Sequence, residues 1–153
     1  MTGVPTATSS VSTRPAGLSD ATRLCELSGQ LGYPVWEAEL SRRLAHLLDR
    51  SDHYLLLAEA ASGQVVGWIH GAEQWILESE PNCEILGLVV DQNFRSQGVG
   101  RTLVAAVEAW AAARGLTSIR VRSNVARAES HPFYERLGFS RIKSQHVYRK
   151  SLG

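Results

Sequence analysis

A chain of 153 residues with a net charge of +1 at pH 7 is long enough to close one hydrophobic core, and its charges form no block that would hold a polyanion. Nucleic acid is therefore not an expected partner. Neither is a membrane, because no stretch reaches the roughly 20 apolar residues that span a bilayer. The two cysteines, Cys25 and Cys83, fall on separate predicted elements, and the five histidines form no HExxH or other metal pattern. Reduced thiols, a metal-free site and a cytoplasmic setting are the expectations.

Residues 1–12 are polar, rich in Ser and Thr, and lack the basic start and apolar middle of a signal peptide, so they read as a flexible tail before a single domain over residues 13–153. Arg14-Pro15-Ala16 ends a short extended run. Ser19 or Asp20 can cap a helix over 21–31, with Leu24, Leu27 and Leu31 on one face, and Gly32 and Pro34 end it. A second helix, 36–48, buries Leu40, Leu44, Leu47 and Leu48. Apolar runs at 54–59 and 64–70, joined through Gly63, predict an antiparallel hairpin. The spacing leaves 75–81 open. A strand at 84–90, an Ala-rich helix at 101–113 stopped by Gly115, and a strand at 117–122 predict a parallel crossover. A short helix at 132–137, a stop at Gly138 and a last strand at 141–149 complete the chain.

The segment Leu88-Val89-Val90-Asp91-Gln92-Asn93-Phe94-Arg95-Ser96-Gln97-Gly98-Val99-Gly100-Arg101-Thr102 carries the chemistry: a buried strand, a polar loop, and a helix with two glycines at its start. A helix start offers unpaired N–H groups and a partial positive charge, and Gly98 and Gly100 let a phosphate reach bare backbone. A Walker loop needs a Lys that is absent here, and a dinucleotide fingerprint needs a third glycine and a later acid. An anion cradle of another kind remains, beside a plain strand-to-helix turn.

With Arg95, Gly98 and Gly100 in this order, followed by His131-Pro132-Phe133-Tyr134-Glu135-Arg136-Leu137-Gly138-Phe139, the sequence resembles the GNAT superfamily of acetyl-CoA-dependent N-acetyltransferases from about residue 12 to 150. The resemblance implies an α/β fold (α+β, mixed sheet) whose central sheet is splayed between two strands and flanked by helices. It implies that acetyl-CoA is the co-substrate, its pyrophosphate on Arg95, Ser96, Gln97, Gly98, Val99, Gly100, Arg101 and Thr102 and its pantetheine arm along Leu88, Val89 and Val90. A bulge that opens the slot is expected at Gly87. Asn124 and Tyr134 are the implied contacts further on, although Asn124 stands ten residues before Tyr134 where the family usually has about seven.

Acetyl transfer to an amine needs a base for the ammonium proton and an acid for the departing sulfur. A phenol with a reference pKa of about 10 keeps its proton at pH 7, which suits Tyr134 as the acid. Glu84 reads either as a solvated edge residue or as the base. Tyr33, Trp36, Glu73 and Trp75, with His70 and Glu78 nearby in sequence, are aromatic and acidic residues that suit a cationic acceptor. The expected activity is direct acetylation of a primary amine on a small molecule. An acyl-CoA-binding module without turnover and a protein amine as acceptor are the alternatives, and a homodimer is compatible with either.

Overall fold

Alternation of apolar and polar residues, and glycines at the turns, set the strands; leucines at helical spacing set the helices. The structure, a computed structural model, describes residues 11–125 and 130–153. It divides into two units, the first ending at Arg122 and the second running Ser123–Gly153. The tail reading over residues 1–10 lies outside the described residues, and Ser12 already belongs to the first strand.

The first unit holds β1 (Ser12–Pro15), α1 (Ala21–Gln30), α2 (Glu37–Leu48), β2 (His53–Glu59), β3 (Val65–Ile76), β4 (Ser79–Val90), α3 (Val99–Ala113) and β5 (Ile119–Val121). The strands lie in sequence order. β1 to β4 are antiparallel neighbours, and β5 runs parallel to β4, so α3 is the crossover that the sequence predicts. The undecided stretch 75–81 proves to be the tip of the β3–β4 hairpin, which extends both strands to 12 residues.

One face of the sheet carries α3. A Cβ on Gly67 would sit 3.2 Å from Val99 and 3.3 Å from Leu103, and one on Gly71 would sit 3.0 Å from Val107, so both glycines allow the helix to approach β3 closely. Val99, Leu103, Val104 and Val107 are buried there, each contributing about 1.5–3 kcal/mol by leaving water. The opposite face carries α1 and α2, whose Leu24, Leu27 and Leu44 cluster with Leu57, Val65, Val89 and Trp68. The first helical turn is tied down by Asp20. Its carboxylate takes two bonds from Arg14 and the Gly17 N–H, and the Arg14 guanidinium holds it below the usual carboxylate range.

The second unit contains α4 (Ser130–Arg136), closed by Gly138 at φ 93°. Residues 141–149 do not form the expected strand. A strand is stable only beside a hydrogen-bonded neighbour; here Ile142, Val147 and Tyr148 are exposed and the segment has no ladder among the described residues.

Candidate active site

The end of β4 is fixed before the loop begins. Asp91 is buried and accepts the Asn93 N–H at 2.8 Å, while Arg23 of α1 grips its carboxylate and also donates to the Val65 carbonyl at 2.8 Å. Burial opposes ionisation of Asp91, but the Asn93 N–H and the Arg23 guanidinium outweigh it and keep the acid below its ordinary range. The Gln92 N–H donates to the Gln30 side chain at 2.9 Å. Sequence reading missed Arg23, Gln30 and Asp91 as the anchors of this loop. The Asp-x-Asn at the strand end was the available signal, since an Asp there commonly caps the following turn.

Beyond the anchor the backbone turns through Ser96 at φ 64° and Gly98 at φ 84°, both left-handed, and enters α3 at Val99. No side chain caps this helix, and the space where a Gly98 side chain would stand is open. The first N–H groups of α3 therefore have no intrahelical acceptor and stand at the positive end of the helix dipole. Arg95, Ser96 and Gln97 are exposed on the loop, with Arg95 Nε 3.4 Å from the Val90 carbonyl. Thr102 donates its hydroxyl back to the Gly98 carbonyl at 2.9 Å, so it steadies the turn and offers an outside group only its lone pairs. Arg101 is exposed one residue earlier.

β4 itself is split. β5 pairs with it over Cys83, Glu84 and Ile85 alone, so the edge from Leu86 to Val90 that faces away from β3 has no β5 partner. The β3–β4 register shifts between His70 paired to Gly87 and Gly71 paired to Ile85, which makes Leu86 the extra residue of a bulge beside Gly87. Leu86 is correspondingly exposed. This is the expected splay: a strand edge with no ladder partner among the described residues, leading straight to a helix start that none of their side chains caps. An extended arm ending in a pyrophosphate fits both parts.

Glu84 is not a solvated edge residue; it is buried, with one oxygen 3.5 Å from the exposed Arg122. Cys83 faces α3 beside Gly71, so its neighbour Glu84 points to the α1–α2 face. Register places His53, Ala72, Glu84 and Arg120 in one row across that face. His53 Nδ1 lies 2.8 Å from His70 Nε2, a pair that holds together only when at least one ring nitrogen is unprotonated. Burial, reinforced by His53, pushes His70 down to about 4 from its ordinary 6.5. Between those values the unfolded chain binds a proton that the folded one refuses, so the stability this site supplies is complete above pH 6.5 and falls by about 3 kcal/mol on approaching pH 4. Urea midpoints at pH 7 and 4.5 should differ by a corresponding amount in the native chain and by much less in His70→Asn.

Tyr134 belongs to the second unit. Its ring stands edge-on to Phe133 at 5.0 Å and to Phe139 at 5.6 Å, and its carbonyl accepts the N–H groups of Leu137 and Phe139. Asn124 is exposed, its carbonyl 3.3 Å from His131 Nε2. Of the residues expected to receive the acceptor, Tyr33 and Trp36 are exposed on the α1–α2 connection and Trp75 is exposed near the β3–β4 tip. Glu73 lies on the α3 face, opposite to Glu84, with its carboxylate 3.0 Å from Arg114. Both cysteines are free, and burial pushes the Cys83 thiol up to about 11. No cluster of three metal-ligating side chains occurs among the described residues, and no helix there is long and apolar enough to cross a membrane.

Residues 21–139 match the family model described as "Acetyltransferase (GNAT) family". The chain is 29% identical over 118 residues to an aminoglycoside N(6')-acetyltransferase type 1 of Stenotrophomonas maltophilia, covering 74% of each protein. It is 33% identical over 118 residues to an aminoalkylphosphonate N-acetyltransferase of Salmonella typhimurium, covering 76% of this chain and 73% of that one. The fold superposes with a TM-score of 0.82 on an aminoglycoside 6'-N-acetyltransferase from Acinetobacter baumannii, at 20% identity and covering 94% of this chain and 100% of that one. With a family match running from α1 past α4 and the splayed sheet and uncapped α3 in place, this chain belongs to the acetyltransferase (GNAT) family.

Proposed function

We propose that the protein transfers the acetyl group of acetyl-CoA to a primary amine of a small molecule by direct attack, as a single domain spanning both units. The observation that carries this reading is the continuity of an unpaired β4 edge with an uncapped, glycine-started helix. That the family match crosses residue 122 supports one domain. A solved aminoglycoside acetyltransferase in complex with CoA shares the fold at a TM-score of 0.83, which supports the cofactor.

When bound, acetyl-CoA supplies an acyl group activated as a thioester. The chain's own part is to hold and to move protons. Backbone N–H groups from Arg95 to Gly100, at the positive end of α3, hold the pyrophosphate, with Arg101 and Thr102 beside them. Peptide groups of Leu88, Val89 and Val90 bind the arm along the split edge. Glu84 takes the ammonium proton, through water, and frees the nitrogen lone pair to form the new amide bond. As the carbon–sulfur bond breaks, the Tyr134 hydroxyl gives its proton to the sulfur, and the second proton that the nitrogen sheds in becoming an amide restores the phenol. Neither cysteine takes part. Tyr33, Trp36 and Trp75 form the outer wall for the acceptor in this reading and Asn124 is kept as a cofactor contact, whereas Glu73, paired to Arg114 on the opposite face, lies outside it. Free thiols fit a cytoplasmic setting, and the exposed Trp75, Ile76 and Leu77 at the hairpin tip support a homodimer.

Glu84→Gln tests the base, because the amide fills the same buried space. At pH 7 its kcat/KM for an amine should fall about 100-fold, with acetyl-CoA affinity unchanged. The deficit should shrink toward pH 9.5, where more of the amine is already neutral. A variant with native turnover at pH 7 would remove Glu84 from the mechanism.

A further inference from the structure

The face that Glu84 shares with α1 and α2 contains a cleft of about 120 Å³. Leu24, Leu44 and Leu47 wall it from the helices, and Leu57, Trp68 and His70 form its floor on the sheet. Ser28 and Arg43 are its remaining polar neighbours, and Arg43 is exposed and paired to Glu39 at 3.2 Å. Such a surface rewards hydrocarbon and penalises hydroxyl or ammonium groups, which would lose water and find almost no partners. A cavity of about 150 Å³ with a similar lining takes up benzene; this cleft is smaller, so it suits a short alkyl chain or a ring seated in part.

The position is as informative as the lining. Trp68 lies against Gly87, where an added Cβ would stand 2.7 Å from the ring, so the floor of the cleft abuts the bulge that opens β4. His70 pairs with Gly87, and Ala72, two residues further along the same face, pairs with Glu84. Two residues of strand span about 7 Å. A group seated on Trp68 and His70 with a two- to four-carbon tether therefore spans the distance to the row that holds Glu84. Of the groups on this face, His53 and His70 pair with each other, and Glu84 stands beyond them with Arg120 and Arg122 on its β5 side.

We propose that the acceptor of this enzyme is an amphipathic primary amine, an aryl or alkyl group on a short tether, whose apolar part occupies the cleft between α1, α2 and the sheet. This assignment rests on the acetyltransferase reading and sharpens it. It departs from the polyhydroxylated, polycationic acceptors named for the aminoglycoside relatives, whose groups the leucine lining cannot satisfy.

The test compares 2-phenylethylamine and hexylamine with neamine as acceptors, measuring thiol release from acetyl-CoA together with the indole N–H signals of the four tryptophans by NMR. Trp68 lines the cleft and its Nε1 is buried without a partner among the described residues, so its signal reports a guest there. The apolar amines should exceed neamine at least tenfold in kcat/KM and should shift the Trp68 signal. Leu47→Trp, which fills the cleft, should raise their KM at least tenfold while leaving acetyl-CoA affinity intact; Leu47→Ala, should the larger residue impair folding, should move the optimum to a longer chain. Neamine turned over better than both, with the Leu47 variants unaltered, would overturn the cleft as acceptor site and leave the acetyltransferase standing. Apolar amines that shift Trp68 but release no thiol would overturn the acetyl-transfer reading, and the substrate assignment with it.

Discussion

Gly98→Val should weaken acetyl-CoA binding at least 100-fold, measured by calorimetry, and should leave the protein folded. Two effects act together. At φ 84° the residue sits where an L side chain costs about 1–2 kcal/mol, more for a β-branched one. The new side chain also stands over the N–H groups that are to face the pyrophosphate. A 100-fold loss is about 2.8 kcal/mol, more than backbone strain alone would be expected to transmit to binding, so obstruction is the larger share. The fold survives because an added Cβ meets no protein atom within 4 Å. Unaltered affinity in the folded variant would place the pyrophosphate elsewhere.

Tyr134→Phe should lower kcat about 100-fold while the KM for acetyl-CoA stays within about twofold. The substitution removes one oxygen and keeps the ring that packs edge-on to Phe133 and Phe139, so the thermal midpoint should move little. If the hydroxyl protonates the leaving sulfur, a thioester whose thiol is a stronger acid should narrow the gap between variant and native chain, because its sulfur needs the proton less. Native kcat in the variant would assign the proton to water.

The parts of this fold that were legible in the sequence are those written in local patterns. Leucines at helical spacing placed α1 and α2 within a residue or so, and the strand, helix, strand order around α3 announced a parallel β5. Gly98 was legible as the turn into α3, which it makes at a left-handed φ. The bulge expected at Gly87 falls one residue earlier, at Leu86, which no residue-type rule would single out.

What stayed hidden depends on residues far apart in the chain. Arg23 and Gln30 anchor the end of β4 from 68 and 62 residues away, and no local pattern joins them to Asp91 and Gln92. The burial of Glu84 follows from its row across the sheet, which the strand pattern leaves undecided until register is known. Glu73 and Glu84 look alike in sequence, yet they face opposite sides of the sheet because the bulge resets the alternation, and Glu73 meets Arg114 at the end of α3. The strand expected over 141–149 rested on that segment by itself, and a segment by itself cannot supply the neighbouring strand that a ladder requires.

The central claim is that this chain moves an acetyl group from a thioester to an amine. Its most direct measurement is the rate of free thiol appearance when the purified protein meets acetyl-CoA and a broad panel of primary amines, with mass spectrometry of the products. The predicted result is thiol release that depends on the amine, saturates with it, and is matched mole for mole by an N-acetylated product. Tight binding of acetyl-CoA with no amine-dependent thiol release across the panel would contradict the claim and leave a module that binds the cofactor without turning it over.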